Sequence, residues 1–504
     1  MRGRKTIINT VFSLVEEVVA IVCGFILPRI ILSAFGSKYN GLITSITQFL
    51  SCSVLLRSGI GGATRAALYK PLVQKDKDEI NSIIKATDIF MKKIGTIIAV
   101  AIVVFSVVYP FFVLKEFEYI FTLSLFLIIG LSTFAESFFG ITYLILLQAD
   151  QKLWVSSVLK SISYILNLII AIILIKLNCG IHLVKLGSTL IYIAYPIALQ
   201  VYVKRKYNLD SKVKPNNKAI AQRWDAFWHQ VATFVMTNTD VIILTVFTNM
   251  ISVSIYSVYN LVINGLKRTV QSFSNGLEAF FGDIIAREEE DSLRKNLSVI
   301  ELTLYSISTI LYSVAIVVIL PFVAIYTRGI GDADYLNPGF AYILLLAQFF
   351  NSIRIPYQLV VQAAGHYKQT KRGAMIEPII NIVISVVFVI RFGLIGVAVG
   401  TLVSTIYRTI QFSNYMSKNI VKRNMFYTFS RIIIHLAECA IIIFIANNIN
   451  IQFENNYANW LLNSVIVGII AVCIVCISNI IFYRKECVLV FERIKKFIKN
   501  RRKK

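Results

Sequence analysis

Residues 376–402 read IEPIINIVISVVFVIRFGLIGVAVGTL. Two apolar runs are parted by the short turn Phe392-Gly393-Leu394, and each belongs to a longer run, over 373–392 and 395–416. About 20 apolar residues in an α-helix cross the hydrocarbon core of a bilayer. The stretch therefore reads as two membrane-spanning helices joined by a tight turn. Working outward, the same pattern recurs along the whole chain. Runs at 7–32, 41–68, 89–113, 118–147, 154–176, 181–203, 221–247, 251–281, 299–325, 338–364, 426–447 and 459–483 complete a set of about 14 spans. Strands of a membrane barrel would be shorter and alternating. Composition agrees: of 504 residues, 57% are apolar and 15% charged. Soluble globular chains carry about 25% charged residues. A soluble enzyme, a disulfide scaffold and a disordered chain are thereby excluded. The expected fold class is all-α, polytopic and transmembrane.

Orientation follows from Lys and Arg in the connections. Alternate loops and the two termini hold about 34 of the 51 basic residues, and the opposite loops about five: Lys38, Lys115, Lys176, Arg328 and Arg391. That asymmetry predicts an even number of spans with both termini cytoplasmic. It also accounts for most of the formal charge of +24, so nucleic acid is not an expected partner, whereas anionic membrane lipid is. Trp154, Trp224, Trp228 and Trp460 fall near proposed span ends, as an aromatic belt requires.

An internal repeat is visible. Gln148-Ala149 precedes Asn167 by the same spacing as Gln362-Ala363 precedes Asn381, and Gly180 and Gly187 match Gly393 and Gly400 at an offset of 213. The expected organisation is two six-helix lobes related by pseudo-two-fold symmetry, over 1–203 and 221–416. A basic linker (204–220), two additional helices (417–483) and a basic cytoplasmic tail (484–504) complete it. Transporters built from such repeats bind their ligand near the midplane between the lobes.

Ionisable groups inside spans are costly and face protein or water. The first lobe offers Glu16, Glu17, Arg57, Glu136 and Lys160. The second offers Asp225, His229, Asp240, Lys267, Arg268, Glu301, Arg354 and Glu377, and Arg408, Arg431, His435 and Glu438 follow. Arg57 and Lys267-Arg268 lie at similar depth in the second and eighth spans. Such cations, with Arg354, suit a phosphate or pyrophosphate head group. Glu16, Asp240 and Glu377 are the candidate ion-coupling groups. Snorkelling cations and structural carboxylates are the plainer alternative, as is tight helix packing for the glycines of Ser58-Gly59-Ile60-Gly61-Gly62. No phosphate-binding P-loop sequence occurs and the four His show no metal-ligand spacing. Cys473-Ile474-Val475-Cys476 falls inside an apolar span. No cofactor, metal site or enzymatic activity is expected.

Several stretches resemble the polysaccharide flippases of the multidrug/oligosaccharidyl-lipid/polysaccharide exporter superfamily. They are Gly59–Leu72 (GIGGATRAALYKPL), Asn238–Leu244 (NTDVIIL) with Ile255–Asn260, and Ile376–Leu402. The resemblance implies an O-antigen- or capsule-type translocator of the bacterial inner membrane, with Asp240 and Glu377 on matching positions. Its implied cargo is an undecaprenyl-pyrophosphate-linked glycan, moved between leaflets by alternating access and coupled to a proton or sodium ion. Other polysaccharide-assembly membrane proteins are implied partners. A lipid II flippase or multidrug exporter of the same superfamily is the alternative. A membrane glycan polymerase or ligase is a more distant one, because the outer loops are short.

Overall fold

The computed structural model describes residues 2–57, 60–210, 213–216, 227–274, 276–449, 454 and 456–501. Ser58, Gly59, Lys212, Lys218, Arg223, Trp224 and Asp225 lie outside them, as do the side chains of Trp228 and His229. The described residues of the fourteen expected spans are helical apart from short breaks, residues 221–226 of the seventh lie outside them, and the described residues contain no strand. Among the described residues, eleven helical stretches are long and apolar enough to cross a membrane. The chain is an all-helical, multi-pass membrane protein. It divides into two compact units, Met1–Ser254 and Ile255–Lys504.

The first unit begins with α1 (Arg2–Phe35). The second span is interrupted at Ser51-Cys52, between α2 (Ser37–Leu50) and α3 (Ser53–Arg57), and α4 (Ile60–Gln74) follows. Then α5 (Lys77–Val108) starts where the Asp76 side chain accepts from Glu79 N–H at 3.0 Å, satisfying one of the free donors at a helix start. Pro110 opens the short α6 (Pro110–Val113). The fourth span is α7 (Tyr119–Ala135), a π-helical turn Glu136–Gly140, and α8 (Ile141–Ala149). It is followed by α9 (Trp154–Lys176), α10 (Ile181–Tyr207), α11 (Phe227–Phe247) and the start of α12 (Met250–Ser274). Helices α1 and α10 pack on α9, and α7 packs on α5 and α10.

The second unit holds the rest of α12, α13 (Leu277–Ala286), α14 (Glu290–Tyr326), α15 (Pro338–Ile353) and α16 (Ile355–Ala363). It continues with α17 (Tyr367–Phe392), α18 (Leu394–Asn419), α19 (Phe426–Asn448) and α20 (Tyr457–Phe482). A last helix, α21 (Arg484–Arg501), carries the basic tail. The stretch 376–402 forms the α17–α18 hairpin. Gly393 turns with φ +54, a region open to glycine. A Cβ on Gly396 would overlap the Phe388 carbonyl, and one on Gly400 would overlap Ser385, so these small residues let the two backbones touch. Helix α17 is inside-out relative to a soluble helix: Asn381 (1%) and Ser385 (0%) are buried, while Val387 (61%) and Ile390 (73%) are exposed. That pattern places the apolar face on lipid.

The repeat residues have matching roles within each unit. Asn167 of α9 donates to Tyr192 OH of α10 at 2.9 Å, and Asn381 of α17 donates to Thr401 Oγ1 of α18 at 3.1 Å. Gly187 lies against Ile170 and Leu174 of α9, as Gly400 lies against α17. Gly180 differs from Gly393: its φ of −64 needs no glycine.

Candidate functional site

Intramembrane charge is gathered in a few clusters. In the first unit, Arg57 is the last described residue of α3, in the second span. Its guanidinium donates to Glu136 Oε2 at 2.7 Å. Glu136 opens the π-helical turn of the fourth span, and π turns inside α-helices are frequent at functional sites. The pair is partly exposed: the side chains are 16% and 41% accessible. Two turns further along, Arg65 donates to Gln148 Oε1 at 2.7 Å. The second span therefore turns successive arginines toward the fourth. Glu16 of α1 faces Lys160 of α9 at 3.6 Å, again with both side chains partly exposed.

Asp240 is buried in α11, within Asn238-Thr239-Asp240. Asn238 Oδ1 accepts from Gln48 and, at 3.0 Å, from Ser51 Oγ. Nearby, Tyr109 OH donates to Ser45 Oγ at 2.7 Å, and Ser45 Oγ is 2.6 Å from Thr245 Oγ1. Polar groups of α11 thus meet the broken second span across an otherwise apolar interface.

In the second unit the tenth span is interrupted between α15 and α16. Arg354 sits at that break, ahead of Pro356. It donates to Glu377 Oε1 at 2.6 Å and to Asn351 Oδ1 at 2.6 Å. Arg408 of α18 reaches the other oxygen of Glu377 at 3.4 Å and stacks on Phe412 at 3.9 Å. Two guanidiniums share one carboxylate, so the cluster retains a positive charge. Its members are drier than the Arg57 pair, with Arg354 15%, Arg408 7% and Glu377 9% exposed. Arg354 Nε is buried without a hydrogen-bond partner among the described residues. On α12, Lys267 is half-buried and Arg268 exposed.

A larger network was only partly visible in the sequence. Glu301 of α14 is fully buried and accepts from both Arg423 and Arg431. Arg431 also holds Glu486 of α21 at 3.1 Å and donates to Tyr427 OH at 2.6 Å. In the sequence Arg423 is one cation of a loop, and Glu486 an acid within the tail at 484–504. Their partners lie too far away in the chain for spacing to reveal them. Among the described residues no group of His, Cys, Asp or Glu is arranged to hold a metal ion.

No family model and no curated protein matches this sequence. Solved structures do. A lipid II flippase, MurJ, in an inward closed conformation has a TM-score of 0.70 at 17% identity, covering 95% of this chain and 99% of that one. An inward-facing multidrug resistance MATE family transporter of the MOP superfamily has a TM-score of 0.65 at 12% identity, covering 82% of this chain and 98% of that one. An outward-facing member of the same family has a TM-score of 0.56 at 14% identity, covering 81% and 93%. At such identities the likeness establishes the fold: this chain shares the helical architecture of those flippase and multidrug transporter structures.

Proposed function

We propose that this protein is a flippase of the bacterial inner membrane. It moves undecaprenyl-pyrophosphate-linked oligosaccharide repeat units from the cytoplasmic to the outer leaflet by alternating access, for surface polysaccharide assembly. The observation that carries this reading is the partly wet Arg57–Glu136 pair at the π turn of the fourth span. A pyrophosphate offers a guanidinium two charged oxygens in bidentate geometry. Glu136, 41% exposed, is the carboxylate that such an anion displaces. Arg354, in the cluster that keeps a surplus positive charge, is a second phosphate-binding group. Lys267 and Arg268 act as point and fork cations on α12. An organic-cation exporter would instead favour an anionic, aromatic-lined cavity.

Glu16, Asp240 and Glu377 are the groups assigned to coupling with a proton or sodium ion. The partners of this reading are the lipid-linked glycan, membrane lipid and further membrane proteins of polysaccharide assembly; both termini are cytoplasmic. The lobes expected at 1–203 and 221–416 are the moving bodies.

The test is charge removal. Arg57→Ala, expressed at the normal level, leaves the complete lipid-linked repeat unit on the cytoplasmic leaflet. Unchanged surface polysaccharide in that variant overturns the reading. A lipid II cargo is the second reading, favoured by the larger share of this chain that the MurJ structure covers. Depletion of the protein then causes lysis rather than loss of a surface glycan.

A further inference from the structure

Charge around α19 balances only if one additional proton is held there. Glu301 and Glu486 face Arg423 and Arg431, two carboxylates against two guanidiniums. One turn beyond Arg431 comes His435, and its Nδ1 lies 2.7 Å from Glu438 Oε2. Glu438 has no other ionic partner among the described residues. His435 is 0% and Glu438 3% exposed, and His435 sits about 14 Å along the helix from its start. A carboxylate beside a neutral imidazole would leave a net negative charge where no water stabilises it. A proton on either group makes the pair neutral.

The pair has places to put it. His435 Nδ1 is taken up by Glu438 and, at 3.1 Å, by Thr309 Oγ1 of α14. His435 Nε2 and Glu438 Oε1 are buried and lack hydrogen-bond partners among the described residues. The other titratable neighbours do not supply the missing charge. From α14 and α16, Tyr305 and Tyr357 hydroxyls bond each other at 2.6 Å. Cys439 of α19 is buried and turned to the Thr309 carbonyl. Tyr427 bonds Arg431 and Glu486, and Cys487 of α21 bonds the Asn479 carbonyl of α20.

A surface pocket lies nearby, separated from His435 by the Tyr483 ring. A cavity of about 350 Å³ is lined by Tyr427, Ser430, Arg431, Ile434 and Tyr483 at the start of α19. The Tyr483 ring forms part of its wall and stacks on His435, with centroids 6.0 Å apart and planes 6° from parallel. Tyr483 OH is itself without a partner among the described residues.

We infer that His435 and Glu438 form a proton-binding site, which holds one exchangeable proton between α19 and α14 and is reached from this cavity. The site is separate from Glu16, Asp240 and Glu377, and does not depend on the nature of the cargo. The step is a simple protonation: the ring nitrogen or carboxylate gains a proton from water in the cavity and returns it there.

The test uses the full chain in lipid nanodiscs with ¹⁵N-labelled histidine. Only four His are present, so His435→Gln assigns the ring signals by difference. If that variant misfolds, a chain with His182, His229 and His366 changed to Gln keeps His435 alone. At neutral pH the expected result is a doubly protonated His435 ring, or a carboxylic-acid infrared band that Glu438→Gln removes. Transfer to D₂O shifts that signature in the folded protein, and Ser430→Trp, which fills the cavity, slows the shift at least several-fold. A neutral ring beside an ionised Glu438 overturns the inference. So does a proton that resists exchange until the protein unfolds.

Discussion

The two units handle buried charge in opposite ways. In the first, Arg57 and Glu136 form a single pair with 16% and 41% of the side chains exposed, and Glu16 and Lys160 lie 3.6 Å apart and partly wet. In the second, Glu301 and Arg431 are 0% and 1% exposed and tied into a network that spans α14, α19 and α21. The same residue types therefore do different work. A dry, multiply bonded pair cannot exchange partners without stranding a charge, so it fixes helices in place. A wet, singly bonded pair can trade its internal carboxylate for an anion from outside. Arg354, shared with Asn351 and Glu377, lies between these extremes.

The largest effect should come from the dry network. Glu301→Gln leaves Arg423 without its counter-charge and Arg431 with Glu486 alone, and removing one partner of a buried pair costs about 3–5 kcal/mol. Thermal unfolding of the purified protein in detergent measures it. A loss under about 1 kcal/mol, typical of exposed pairs, would erase the contrast between the units. Next comes Gly396→Val, whose Cβ would overlap the Phe388 carbonyl. Overpacking of this kind costs about 1–3 kcal/mol. Gly468→Ala on α20 is the control, since nothing lies within 4 Å of its Cβ position. Arg57→Ala comes third: its wet pair predicts less than about 1 kcal/mol of stability lost, with flipping abolished. A destabilisation as large as that of Glu301→Gln would make Arg57 a structural residue and break the comparison from the other side.

Much of this fold could be read from periodic hydrophobicity alone. The described residues of the fourteen runs are helical apart from short breaks, and the limits of α9, Trp154–Lys176, match the apolar run residue for residue. Hydrophobic length is a local property, so local sequence records it. Interruptions were less legible. The break at Ser51-Cys52 and the π turn at Glu136 occur within apolar runs, and nothing in their composition sets them apart from continuous helix. Site residues were legible as types and illegible as partners. Arg57, Arg354 and Glu377 stood out as charges in apolar surroundings, yet the Arg57–Glu136 and Arg354–Glu377 pairings depend on how helices pack. Glu486 shows the limit most clearly. In the sequence it is one acid in a basic tail, while in the fold it closes the network on Arg431 and Ser298.

The smallest predicted effect tests whether the units, so unlike in their charges, share a packing plan. Asn167 and Asn381 each donate one hydrogen bond from the fifth or eleventh span to the span that follows. Each also leaves its Oδ1 buried without a partner among the described residues. Single hydrogen bonds between membrane helices average about 0.6 kcal/mol. Replacing Asn by Ala removes the donor together with the unpaired acceptor, so the second loss offsets part of the first. Asn167→Ala and Asn381→Ala should therefore each lower stability by about 0.6 kcal/mol or less, and by similar amounts. Urea or thermal unfolding of the two variants side by side measures this. Asn381 is buried to 1% and Asn167 to 3%, so burial gives no reason for the two to differ. If one variant loses several times more than the other, the matching spacing in the sequence has been put to different structural use in the two units.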